Sequence, residues 1–218
     1  MENAEVKPKR RRLRLRILLV LALGGLVVGG YYFVTRYVLS NFAVVIPGKV
    51  YRSGQPRVPE QLEGWVKEYG IKTIIDLRGD NLPVYKAERE LATRLKIDLI
   101  PVALSSQRGA SKERLAELIH ALETAKPPML LHCQYGIDRS GFASMLTVMY
   151  MGQSDYKTAR GQLRRPLYGK HISDTIVMYE QYCVTNKLDP NSWPQFKKWA
   201  TTVYDPGITA NQSSQPAE

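Results

Sequence analysis

Residues 132–141 read His-Cys-Gln-Tyr-Gly-Ile-Asp-Arg-Ser-Gly. Five residues separate Cys133 from Arg139. The run joins a short apolar stretch, residues 129–132, to a longer apolar one, residues 140–151. A strand that ends in a thiol, a tight loop and a helix beginning near Arg139 would aim several backbone N–H groups at one point. The helix adds its positive N-terminal end there. Such a point suits a phosphate dianion. Arg139 offers a planar, two-pronged contact to two phosphate oxygens. The same field favours a thiolate at Cys133, because a free thiol titrates near ~8.5 and positive surroundings lower it by several units. Gly136 lets the loop turn and brings backbone close to a ligand. Ser140 is placed to hydrogen-bond the sulfur and help it leave. Gln134, Tyr135, Gly136, Ile137, Asp138 and Arg139 are therefore the expected phosphate cradle. Cys133, Arg139 and Ser140 are the residues expected to carry the chemistry.

His132-Cys133, five residues and Arg139-Ser140-Gly141 together resemble the signature of the cysteine-dependent protein tyrosine phosphatase superfamily, in its small dual-specificity-like branch. Residues 50–56 (Val-Tyr-Arg-Ser-Gly-Gln-Pro) and 71–78 (Ile-Lys-Thr-Ile-Ile-Asp-Leu-Arg) are similar to segments common in bacterial and plant or fungal members of that branch. The resemblance runs from about Lys49 to Met151. It implies attack of the Cys133 thiolate on phosphorus, a phosphocysteine, and its hydrolysis by water, without a metal or cofactor. A buried core cysteine is the bland alternative for Cys133, and the joint match of six positions opposes it. Rhodanese-type sulfurtransferases also place a cysteine loop between strand and helix. Their loops carry one residue fewer, and the five-residue gap favours phosphate.

The leaving oxygen needs a proton, and a placed acid is worth roughly 10²–10⁴ in rate. Most family members supply an aspartate some thirty residues before the cysteine. Here residues 101–109 hold no acidic residue. Asp98 falls at the start of a strand, the wrong end of the sheet, and reads as structural. Asp138 is the better candidate, because myotubularin-like lipid phosphatases have an aspartate at the matching loop position. A plain hydrogen bond to a neighbouring loop is its alternative role. Asp76 and Arg78 either line the pocket or pair with each other, and pairing is the expectation. The basic, aromatic stretch 164–171 either covers the pocket or is a solvated turn. Cys183 reads as a core residue of a helix that could pair with Cys133 only if the two are near.

The elements around the loop alternate. Strands are expected over 42–46, 49–53, 73–77, 99–104 and 129–132. Helices are expected over 59–69, 84–96, 111–124, 140–151, 154–165, 173–187 and 194–203. This order predicts an α/β fold, a mostly parallel central sheet flanked by helices on both faces. Ligands bind such sheets at the carboxyl ends of their strands, where the cysteine loop falls.

The chain has 218 residues and a formal net charge of +11. Seven basic residues crowd into residues 1–16, so the remainder is only mildly basic and the charge is no argument for nucleic acid. Two cysteines exclude a disulfide-stapled scaffold, and three scattered histidines oppose a histidine metal site. Residues 17–39 form an apolar run that would rise about 35 Å as a helix, enough to cross a bilayer. An uncleaved transmembrane helix is expected, with a cleaved signal peptide as the alternative. The expected organisation is a basic cytoplasmic tail over 1–16, an anchor over 17–39, a phosphatase domain over 40–204 and a flexible tail over 205–218. The basic run stays in the cytoplasm by the positive-inside rule, which puts the catalytic domain outside it, in the periplasm of a two-membrane bacterium. The expected substrates are phosphotyrosine and phosphoserine/threonine proteins. The alternatives are a phosphorylated lipid or polyol at the membrane surface, or a non-catalytic phosphate-binding module.

Overall fold

The computed structural model describes residues 7–34, 40–80, 83–105, 109–152, 154–163 and 171–207. The chain divides into two compact units, Met1–Leu39 and Ser40–Glu218.

In the first unit, helix α1 spans Lys7–Phe33. Its residues Leu13–Tyr31 have a mean hydropathy of 1.9 over 19 residues. At 1.5 Å per residue that stretch is about 28 Å long, the thickness of a hydrocarbon core. By length and composition it can cross a membrane once. The helix also takes in residues 7–16, which the sequence predicts as a basic tail. The expected anchor residues 35–39 and the tail residues 208–218 lie outside the described residues.

The second unit is an α/β sandwich. Strands β1 (Ala43–Ile46), β2 (Val50–Ser53), β3 (Thr73–Asp76), β4 (Asp98–Pro101) and β5 (Met129–His132) form one sheet in the order β1-β2-β5-β3-β4. β2, β5, β3 and β4 run parallel, and β1 closes the edge antiparallel to β2. The helices are α2 (Pro59–Tyr69), α3 (Pro83–Leu95), α4 (Lys112–Thr124), α5 (Asp138–Met151), α6 (Tyr156–Arg160), α7 (His171–Asn186) and α8 (Trp193–Thr202).

Alternation along each strand makes two cores. Tyr51, Ile74 and Leu130 face Leu62, Trp65, Val66 and Leu91 of α2 and α3. Val50, Ile75, Met129 and Leu131 face the larger core under α4, α5, α7 and α8, which includes Leu118, Phe142, Tyr179 and Phe196. The sequence predicts this two-faced arrangement, and the local signals behind it hold. Gly70 ends α2 at φ +62, the left-handed cap that glycine takes most cheaply. Ser111 caps α4 by accepting the N–H of Arg114. β4 is shorter than expected, ending at Pro101, and α6 ends at Arg160 rather than 165. Helix α5 begins two residues early, at Asp138, so Asp138 and Arg139 stand on its first turn.

Candidate active site

β5 lies at the centre of the parallel strands, with β2 on one side and β3 on the other. A loop leaving its carboxyl end is therefore flanked by the ends of two neighbours. Cys133 follows the last residue of β5, and its N–H donates to Ser53 O of β2 over 3.3 Å. Its side chain is buried and free of disulfide. The N–H of Gly136 donates to Cys133 Sγ over 3.3 Å, and Ser140 Oγ hydrogen-bonds the sulfur at 3.7 Å. Burial pushes the Cys133 thiol up. The Arg139 charge, the backbone and hydroxyl of Ser140 and the backbone of Tyr135 outweigh it, and the thiol sits below its ordinary value.

The loop has little room for other residue types. Gly136 holds φ +68, and a Cβ there would lie 2.4 Å from Gly54 N and 2.6 Å from Ser53 C. A Cβ on Gly141 would meet Gln162 O at 2.8 Å. Arg52, buried on β2, donates Nη1 to that same Gln162 carbonyl over 2.8 Å. So β2 and the turn after α6 are drawn against the first turn of α5.

Arg139 projects from that turn. Its Nη1 donates to Leu104 O over 3.2 Å, and its Nε is buried with no hydrogen-bond partner among the described residues. A guanidinium with a buried free donor next to a thiolate is equipped to take an oxyanion. Asp138 is half-buried, with Oδ1 buried and unpartnered among the described residues. Burial raises its carboxyl above the usual range, against the pull of Arg139. A carboxyl so placed holds its proton to higher pH than a solvated one. Gln134 and Tyr135 are exposed on the loop, while Gly136 is buried and Ile137 is partly buried.

Asp98 is exposed at the amino end of β4 and pairs with Lys126 at 3.2 Å, away from the carboxyl-end loop. Asp76 and Arg78 pair with each other, through Arg78 Nε to Asp76 Oδ1 at 2.9 Å and Nη2 to Oδ2 at 2.8 Å. Their third partner carries no signal in the sequence. Glu88 of α3 accepts from Arg78 Nη2 at 2.8 Å, and its Oε2 lies 3.3 Å from His132 Nε2. Asp76, Glu88 and His132 present ligand-type atoms within 4.8 Å of one another. Arg78 bonds both carboxylates, supplying the positive charge that a cation would bring there. Cys183 lies on α7 and accepts from Gln195 Nε2 at 3.5 Å. Of the 164–171 stretch, residues 164–170 lie outside the described residues.

A parallel-sheet strand ending in an acidified thiol, a loop of inward N–H groups and an arginine on the next helix define a cysteine-dependent phosphatase of the protein tyrosine and dual-specificity type. The family model described as "DSP-PTPase phosphatase fused to NAD+ Kinase" matches residues 46–172, and the chain belongs to that family. Among solved structures, the chain is similar to the core catalytic domain of the PP-IP phosphatase Siw14 from S. cerevisiae in complex with citrate. The identity is 22% and the TM-score 0.52, over 67% of this chain and 93% of that one. It is also similar to a mutant form of Tk-PTP, with 20% identity and a TM-score of 0.51, over 67% of this chain and 97% of that one. These likenesses show the fold. The comparison with curated proteins finds no match.

Proposed function

We propose that the chain hydrolyses phosphomonoesters through a phosphocysteine, with Cys133 as nucleophile, Arg139 and the loop N–H groups as the oxyanion cradle, and Asp138 as the acid. The thiolate attacks phosphorus in line as the bond to the ester oxygen breaks. Asp138 gives that oxygen its proton. Arg139 and the N–H groups of residues 134–139 hold the equatorial oxygens throughout. Water then attacks the phosphocysteine and passes a proton to the Asp138 carboxylate. Inorganic phosphate leaves, and the sulfur departs as a thiolate that Ser140 stabilises by hydrogen bonding. The observation that carries this reading is the Cys133 sulfur, turned into the loop towards the N–H of Gly136. The test is phosphate release from an aryl phosphate by the full chain beside Cys133→Ser. Activity lost in Cys133→Ser supports the reading, and equal activity in both defeats the thiolate mechanism. Oxyanion binding without turnover in the wild type would favour a binding module.

For the substrate, phosphotyrosine and phosphoserine/threonine proteins are the class default. A phosphorylated lipid or polyol is the second reading. It is favoured by an acid carried inside the loop and by a helix fit to anchor the chain at a membrane. A neighbour of the same fold is called a PP-IP phosphatase, so the fold does not confine itself to proteins. Turnover of phosphopeptides against phosphorylated lipids in mixed vesicles decides between them. We place the catalytic unit outside the cytoplasm, on the basic residues before Leu13. An alkaline phosphatase fusion after Ser40 should be active, and an inactive fusion reverses the orientation.

A further inference from the structure

We propose that Asn41 is a positioning residue of the phosphate loop, and that the segment Ser40–Phe42 works as a strap on that loop. This rests on the loop of Cys133 being the reaction site.

A trans peptide is planar, so the C=O of one residue and the N–H of the next point in opposite directions and turn together. The N–H of Gly136 donates to the sulfur over 3.3 Å, and besides the Ser140 backbone on α5 the other loop peptide acting on the sulfur is that of Tyr135, so the loop donors belong to Tyr135 and Gly136. Their peptides carry the carbonyls of Gln134 and Tyr135. Both carbonyls are clamped from outside. Gln55 N–H donates to Gln134 O over 3.2 Å, and Asn41 Nδ2 donates to Tyr135 O over 2.6 Å. Holding the Tyr135 carbonyl outward holds the Gly136 N–H inward. Asn41 therefore sets the direction of a donor that meets sulfur and phosphate without touching either.

The strap itself is fixed at three points. Ser40 is buried, and its carbonyl accepts the N–H of Gly54 over 2.6 Å. Gly54 in turn bridges Tyr135. Phe42 packs its ring against Trp65 and Tyr69, with centroids 4.8 and 4.9 Å apart. Ser40 and Asn41 hold φ +47 and +52, a left-handed pair that asparagine tolerates better than most residues. These are the first residues of the catalytic unit.

The test uses the full chain in detergent. Asn41→Gly keeps the left-handed backbone and removes the amide. Asn41→Asp keeps the shape and sets an acceptor against the Tyr135 carbonyl. Cys133 alkylation by iodoacetamide is followed against pH on the Cys133 peptide, tungstate binding is measured by calorimetry, and melting is recorded alongside. In Asn41→Gly the alkylation midpoint should rise by about one pH unit and tungstate should bind about tenfold more weakly, the loss expected for one loop donor left unaimed. Asn41→Asp should move both further in the same direction. An alkylation profile and a tungstate affinity that overlay the wild type in both variants overturn the proposal, as does a change in melting temperature alone. Neither readout needs turnover. A failure of the phosphocysteine reading, seen as equal phosphate release by wild type and Cys133→Ser, is therefore distinguished from a failure of this one.

Discussion

Gly136 donates its N–H to the Cys133 sulfur over 3.3 Å while its α-carbon faces the backbone of Ser53 and Gly54. One residue thus meets the sulfur on one side and packed backbone on the other, and neither leaves space for a side chain. Gly136→Ala brings a Cβ to 2.4 Å from Gly54 N at a φ of +68. Backbone cannot rotate away as a side chain would. The variant should lose on the order of 3 kcal/mol of stability from strain and overpacking together. Thermal melting should register this, and phosphatase activity should fall with it. Wild-type melting would refute the close approach.

Arg139 supplies charge and shape, and the two can be separated. Arg139→Lys keeps the charge that lowers the Cys133 thiol but loses the planar fork. The alkylation midpoint of Cys133 should therefore move little, while kcat/KM on an aryl phosphate should drop roughly 10²-fold or more. Full activity in the lysine variant would mean that charge alone suffices.

The strands, most helices and the chemistry-bearing loop were legible because their causes are local. Gly70, Ser111 and Pro127-Pro128 punctuate the chain, and the Cys133–Arg139 spacing needs no distant partner. Residues whose roles depend on distant contacts were not legible. Glu88 sits in a charged helix pattern, and its burial follows from Arg78 ten residues away and His132 on another strand. Asn41 meets Tyr135 across 94 positions, and no period or motif announces such a contact. The loop pattern puts the start of α5 near Arg139 and the apolar run puts it at Ser140; its start at Asp138 carries no capping signal, because Ile137 precedes it without a side-chain hydrogen bond.

Cys133 below its ordinary value and Asp138 above its own predict a bell-shaped dependence of kcat/KM on pH. Activity rises as the thiol ionises, at a pH below that of a free cysteine. It falls as Asp138 loses its proton, at a pH above that of a free carboxyl. Asp138→Asn should remove the falling limb. It should slow alkyl phosphates roughly 10²-fold or more and aryl phosphates with good leaving groups far less. An equal loss on both substrates would take the acid role from Asp138.

The buried group of Asp76, Arg78, Glu88 and His132 makes the fold itself sensitive to pH. Burial lowers the His132 pKa, but Asp76 and Glu88 outweigh it, so the imidazole is raised above its ordinary 6.5. A raised cationic group contributes stability that is complete below 6.5 and is lost as pH rises through its folded value. Asp76 has the opposite sign. Burial pushes it up, His132 and Arg78 pull it down, and the net is below its ordinary 3.8. Its contribution is present above 3.8 and is lost as pH falls through its lower folded value. The two together give a plateau between about 4 and 6.5, with a decline on the alkaline side set by His132. Glu88→Gln removes one of the two carboxylates that hold the imidazole charged. It should cost about 3 kcal/mol at pH 6, in the range for breaking a buried pair, and should shift the alkaline decline to lower pH. Chemical denaturation between pH 4 and 9 measures both. An unshifted decline in the variant would place its origin outside the Glu88–His132 contact.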